Sequence, residues 1–256
     1  MRVISQTTFR LVHFFAPLLY LRAIGQETEI HPINETVKMK MRVKSFDKWA
    51  AYQVWKFGEY SDKHFTIQPK DVIVDIGGHI GSFSIWAAKQ ASKGKVFTFE
   101  PNHENFQLLK ENKKINKVSN LQIYNMAVSD KTGKVSFFNS DHQSMGHSMY
   151  EHELPNKTTV QATSLAEILK VNKIEKVNFL KIDAEGAEYP ILLNANANLL
   201  NKIDKIFIEY HDYLNHGKTY QDIENHLRVH GFEVELGANI FQRKMLKLGF
   251  LKARKV

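Results

Sequence analysis

Hydrophobic positions fall in two rhythms along the chain: short, near-continuous apolar runs, and longer stretches in which apolar residues recur every three or four places. Val72, Ile73 and Val74 lie in such a run, Asp71 to Ile76, the pattern of a parallel strand covered on both faces. A turn with Gly77, Gly78 and Gly81 follows, then a helix from about Ile80 to Ala91 and a second strand from Lys95 to Phe99. The next helix spans Asn102 to Asn116, with Phe106, Leu109 and Ile115 at helical spacing and Asn102 as its cap. A third strand, Leu121 to Val128, precedes a hairpin around Gly133 with Lys134 to Phe138, a polar loop to about Lys157, a short strand to Thr163 and a helix from Ser164 to Val171. A fourth strand, Val177 to Asp183, runs into the helical AEGAEYPILL, and a fifth runs from Ile203 to Glu209. A last helix, Tyr220 to His230, leads through Gly231 to FEVEL and a closing basic strand. Strands and helices alternating at this spacing predict an α/β, Rossmann-like, doubly wound parallel sheet. Ligands of such sheets sit at the carboxyl ends of the strands, where Gly77, Glu100, Val128, Asp183 and Glu209 gather.

The turn carries the first chemical signal. Glycines let the main chain bend sharply and approach a ligand where a Cβ would collide. Glu100, closing the second strand, is placed to accept both hydroxyls of a ribose. The loop reads DIGGHIG rather than G-x-G-x-x-G, and Asp75, two residues before the first glycine, would repel a pyrophosphate. It would instead attract an α-ammonium, and S-adenosylmethionine joins a nucleoside to an amino acid. The plain alternative for the loop alone is an ordinary helix N-terminus in another α/β domain.

The strings DIGGHIGSFSIWAA, FEPNHENFQLLKEN, NMAVSD, LKIDAEGAEYPILL and IEYH, in this order, closely resemble the FkbM-type S-adenosylmethionine-dependent methyltransferases. The likeness begins near Trp49 and includes WKFGEYSDKHF. It implies a class I methyltransferase sheet of order 3-2-1-4-5-7-6 with strand seven antiparallel, over a catalytic domain of residues 49–256 preceded by a helical or extended segment, 1–48. It implies methyl transfer to an oxygen of a small molecule or sugar. Carried over, Asp75, Gly77 and Gly81 serve the methionine end with Gly78 and His79 in the same turn. Glu100 takes the ribose, with Pro101 and Asn102 beside it. Ala127 and Val128 flank the adenine, with Ser129 or Asp130 near its amino group, and Asp183 borders the cofactor. Two departures stand out: His79 where the family usually has Asn, and Ser61 where Glu is common.

Catalysis falls to the groups after strands four and five. Methyl transfer needs an aligned acceptor and somewhere for its proton to go. Asp183 is expected to orient the acceptor, and His211, whose ordinary pKa is about 6.5, to act as general base, with Glu209 beside them. In a second reading, Asp183, Glu209 and His211 hold a divalent metal that lowers the acceptor's pKa. Glu185, Glu188 and Asp212 lie close in sequence, and each acid outside Asp183 is as well read as a structural partner. The polar segment Asn139 to His152 is the expected acceptor loop; its histidines, His142, His147 and His152, lack the cysteines or helical spacing of a zinc site.

Composition narrows the rest. The 256 residues contain no cysteine, which removes the thiol nucleophile of pyrimidine C5 methylation. The net charge of +8 is concentrated between Arg243 and Val256, where six basic residues meet no acid, so the remainder is nearly neutral. An RNA methyltransferase using that tail is therefore the alternative reading, without an N-P-P-[YF]-type motif to support it. The apolar stretch Leu11 to Leu21 is broken by His13 and Pro17 and is too short for the ~20 residues that span a bilayer. It is expected to fold as a helix against the domain or across a homodimer, while Arg10 and Arg22 at its flanks also suit peripheral membrane contact. The expected location is cytoplasmic, including the membrane periphery.

Overall fold

A computed structural model describes residues 27–43, 45–61, 63–139, 156–212, 217–237 and 247–256. The expected N-terminal helix, the acceptor loop with its three histidines and the first part of the basic tail lie outside these residues. β1 (Thr28–Pro32) and β2 (Lys38–Arg42) form an antiparallel hairpin, followed by α1 (Asp47–Trp55). β3 (Val72–Ile76), α2 (Ser82–Gln90), β4 (Lys95–Phe99), α3 (His103–Ile115) and β5 (Leu121–Tyr124) build one half of the main sheet. β6 (Ala127–Ser129), β7 (Gly133–Asn139) and β8 (Asn156–Ser164) form a separate three-stranded sheet that leads into α4 (Leu165–Val171). β9 (Phe179–Asp183), α5 (Glu188–Leu193), α6 (Ala197–Leu200), β10 (Lys205–His211), α7 (Tyr220–Val229), β11 (Phe232–Leu236) and β12 (Leu248–Lys255) complete the chain.

The seven-stranded sheet runs β11-β12-β10-β9-β3-β4-β5. Read from its β5 edge, it is the expected order 3-2-1-4-5-7-6, and β12 is antiparallel to both of its neighbours. The α/β class I methyltransferase fold is thus present. Alternate residues feed two cores: Val74, Ile76, Phe97, Phe99, Leu180 and Ile182 pack on one face. Ile73, Val96, Phe179 and Phe207 pack on the other with Met39 and Met41 of the hairpin. Residue 49, the expected start of the catalytic domain, falls inside α1, and the hairpin before it shares this second core.

Two expectations fail around the third strand. It does not continue to Val128: Asn125 donates from Nδ2 to the carbonyls of Glu100 (2.8 Å) and Pro101 (3.0 Å), and the chain leaves the main sheet there. The turn at Gly133 does not close a local hairpin either, because β8 lies between β6 and β7 and pairs with both.

Candidate functional site

A cavity of about 1100 Å³, its open mouth included, lies at the carboxyl ends of β3, β4, β9 and β10. Gly77, Gly78, His79, Glu100, Pro101, Ala127, Val128, Asp183 and Glu209 line it; Asp75, Gly81, Asn102 and His211 do not. Ser129 and Asp130 are also off the wall, their side chains bonded to each other at 3.0 Å.

The glycines of the turn answer first to close packing within the protein. A Cβ on Gly77, at φ +83°, would stand 1.7 Å from the carbonyl oxygen of Asp183, so this glycine allows β3 and β9 to end side by side. Gly77 and Gly78 both donate their backbone N–H to the Phe99 carbonyl, at 3.0 and 3.1 Å. Gly81, at φ +94°, begins α2, and a Cβ there would meet Leu109 at 2.6 Å. The glycines answer to protein packing before any ligand arrives.

Asp75 also departs from its expected role. Its carboxylate is buried beneath the turn and accepts from Ser84 Oγ (2.6 Å) and Thr98 Oγ1 (3.3 Å), with Lys181 Nζ 3.4 Å away. It is spent inside the protein rather than held out to an ammonium. Lys181 donates to the Gly77 carbonyl at 2.7 Å, reaches Asp183 at 3.5 Å and lines the cavity. Burial disfavours its charge, but Asp75, Asp183 and Glu209 outweigh that and raise its pKa. The signal for it is a lysine inside the otherwise apolar FLKI, since a buried charge requires a partner.

Glu100 follows β4 and lines the cavity. Oε2 accepts the His79 N–H at 2.7 Å and Oε1 the Asn102 N–H at 2.8 Å, while burial raises its pKa against these bonds. A carboxylate has about four acceptor sites, so two backbone bonds fix Glu100 and leave capacity for a diol in the cavity. Asn102 is occupied as the cap of α3, accepting from Asn105 N at 2.9 Å. His79, at φ +49°, has its Nε2 3.3 Å from Asp47 Oδ1. Asp47 in turn holds Arg42 through its Nε (3.0 Å) and Nη2 (3.1 Å), and Arg42 reaches Asn105 at 2.6 Å. Hairpin, α1, glycine turn and α3 therefore meet in one buried polar network.

On the opposite wall, Asp183 and Glu209 are paired in register on adjacent strands. Burial and the nearby Asp183 charge raise the Glu209 pKa well above its ordinary value. His211 is buried: its backbone N–H and its Nδ1 both meet Glu188 Oε1, at 2.8 and 3.0 Å, and its Nε2 lies 3.5 Å from Glu185 Oε2. Burial opposes a charge there, but Glu185 and Glu188 win and lift the His211 pKa well above 6.5. The acids around the ring favour its charged form, so the ordinary pKa expected for His211 does not apply. Asp212 is structural, accepting from the Tyr189 hydroxyl and from Tyr220 N. The expected trio Asp183, Glu209 and His211 is divided: Asp183 and His211 converge with Glu185, their ligand atoms all within 4.8 Å, while Glu209 lies outside that group.

The family described as the methyltransferase FkbM domain matches residues 75–234. "Methyltransferase 1" of Beauveria bassiana is 24% identical over 180 residues, covering 60% of this chain and 71% of that protein. "Hexuronic acid methyltransferase AglP" of Haloferax volcanii is 28% identical over 141 residues, covering 55% of this chain and 56% of its own length. Among solved structures, the fibrillarin pre-rRNA processing protein of Methanococcus jannaschii aligns with a TM-score of 0.48 at 13% identity, covering 90% of this chain and 99% of that one.

Proposed function

The chain belongs to the methyltransferase FkbM family, whose members use S-adenosylmethionine, and from that premise we propose that it methylates a hydroxyl of a glycan or small molecule. One observation carries the proposal: a single cavity joins Glu100, fixed as an acceptor by two backbone N–H groups, to the Asp183–Glu209 pair on the facing strand ends. These residues fit the donor, for acids dominate the wall and a sulfonium is cationic. When bound, S-adenosylmethionine supplies an electrophilic methyl carbon, which leaves the protein to align the acceptor oxygen and take its proton. Glu100 accepts the ribose hydroxyls, the turn Gly77 to His79 lies along the methionine end, and Pro101, Ala127 and Val128 supply the apolar surface for the adenine. Asp183 orients the acceptor hydroxyl. Glu209, whose proton affinity is raised by its surroundings, takes the proton as general base. The relative named for hexuronic acid supports a sugar acceptor.

Calorimetry with S-adenosylmethionine, followed by labelled-methyl transfer into separate glycan, metabolite and total RNA fractions, tests the proposal. Glu100→Ala should weaken donor binding by about tenfold or more. Glu209→Gln should leave it intact while lowering kcat by roughly 10²-fold or more. Label entering RNA alone, or a fully active Glu209→Gln enzyme, defeats the assignment.

A further inference from the structure

We infer that the cavity takes an uncharged or amine-bearing polyol as acceptor and rejects carboxylated and phosphorylated ones, with Glu59 as a specificity-determining residue, a choice that rests on the methyl-transfer reading and narrows its acceptor. Glu59 stands on a wall that the proposed chemistry leaves unused. That wall comes from α1 and the turn behind it, which bring Gln53, Glu59 and Tyr60 to the cavity.

The turn orients one carboxylate. Gly58 takes φ +64°, the Glu59 N–H donates to the Gln53 carbonyl at 3.1 Å, and Gln53 Nε2 donates to Glu59 Oε1 at 3.3 Å. A carboxylate offers about four acceptor sites, which suits the neighbouring hydroxyls of a polyol. Tyr60 and Phe83 lie on the same wall with ring centroids 4.7 Å apart, and aromatic surface beside a few fixed polar groups suits a sugar, with its CH faces and its hydroxyls. Burial, then the charges of Glu59, Asp183 and Glu209, raise the Tyr60 pKa well above its ordinary value, so these three acids share the acceptor end of the cavity.

Charge decides which polyol. Among the described residues of the wall, the acids are Glu59, Glu100, Asp183, Glu185 and Glu209, and the basic residues are His79 and Lys181. Both bases are engaged within the protein, Lys181 by Asp75 (3.4 Å) and Asp183 (3.5 Å), His79 by Asp47 (3.3 Å). A carboxylate or phosphate on the acceptor therefore meets acids on both sides, and juxtaposed like charges are how a site turns a competitor away. The same acids already raise the proton affinity of Glu209, so a further anion would hold its proton in place and stop it acting as base. An ammonium does the reverse.

Cell glycans and metabolites, sorted by ion exchange into neutral, cationic and anionic pools with RNA in the last, test this when each pool is given to the full chain with labelled S-adenosylmethionine. Sorting precedes the reaction because esterification of a carboxylate erases the charge that marks it. Label should enter the neutral or cationic pool by about tenfold or more over the anionic one. Glu59→Gln, which can still accept from Gln53, should narrow that preference several-fold by raising transfer to anionic acceptors, and Glu59→Lys should narrow it further. Donor calorimetry should show both variants folded and binding S-adenosylmethionine like the parent. Label confined to the anionic pool overturns the inference and leaves methyl transfer standing. A preference that neither variant moves overturns it too, and loss of donor binding in both assigns Glu59 to the donor and ends its role in selection. Label in no pool removes the methyl-transfer reading, and the acceptor class with it.

Discussion

Lys181 ties the catalytic wall to the floor of the glycine turn. Its ammonium touches the Gly77 carbonyl, Asp75 and Asp183, and it is 4% exposed. Removing one partner of a buried pair leaves the other charge uncompensated, a loss of about 3–5 kcal/mol. Lys181→Met should therefore lower stability to denaturant by that amount, whereas Asp75→Asn added to it should recover a measurable part, since the two sites are in contact. Simple additivity of the two variants would show that the charges are not coupled. Position in sequence gives no side-chain direction, which explains why Asp75 reads as a ligand group beside its glycines yet points beneath them. Glu100 is legible because it closes a strand whose end is fixed by the fold. Glu185 is not, because its approach to His211 depends on a left-handed residue that no periodicity announces.

At the scale of elements, α3 holds the N-terminal hairpin by imitating a strand. Asn112 accepts the Lys40 N–H at 2.6 Å and donates to the carbonyls of Lys40 (3.0 Å) and Ile80 (2.9 Å). One turn later, Asn116 accepts from Lys38 N at 3.3 Å and donates to its carbonyl at 2.7 Å. Residues four apart on a helix share a face, and residues two apart on a strand share an edge, so the two spacings match. Asn112→Ala strands buried backbone groups and should cost about 1–3 kcal/mol. Hydrogen exchange should then quicken across β2 while β3 and β4 stay protected; unchanged exchange at Lys40 would refute the pairing. The same helix marks the limit of hydrophobic patterning. Leu109 is buried as its spacing predicts, but Phe106 and Ile115 are only half-buried, and the inward face is completed by Asn105, Leu108 and Asn112. Asparagines that satisfy a neighbouring backbone look like surface residues in a sequence. The split of the third strand is hidden for the same reason, since a side-chain amide, Asn125, redirects the chain.

Across the whole molecule, the order of the main sheet follows from alternating strands and helices, which leave few routes for crossover connections. The attachment of the hairpin and α1 follows from charge instead. Asp47 is fully buried among Arg42, His79 and, through Arg42, Asn105. Burial alone would raise its pKa, but His79 and Arg42 overcome it and hold the carboxyl far below the ordinary 3.8. An acid with a depressed folded pKa stabilises the native state above its unfolded pKa and loses that contribution as pH falls toward the folded value. The network should accordingly support full stability at neutral pH and weaken progressively below about pH 4. Asp47→Asn isolates the effect: its melting temperature should lie below that of the parent at pH 7, and the gap should narrow as both are acidified from pH 4 to pH 2. Because Asp47 faces the residue whose backbone N–H fixes Glu100, the variant should also bind S-adenosylmethionine less tightly at neutral pH. A gap that stays constant across that range would separate the network from acid unfolding, and unaltered donor affinity would separate it from the cavity.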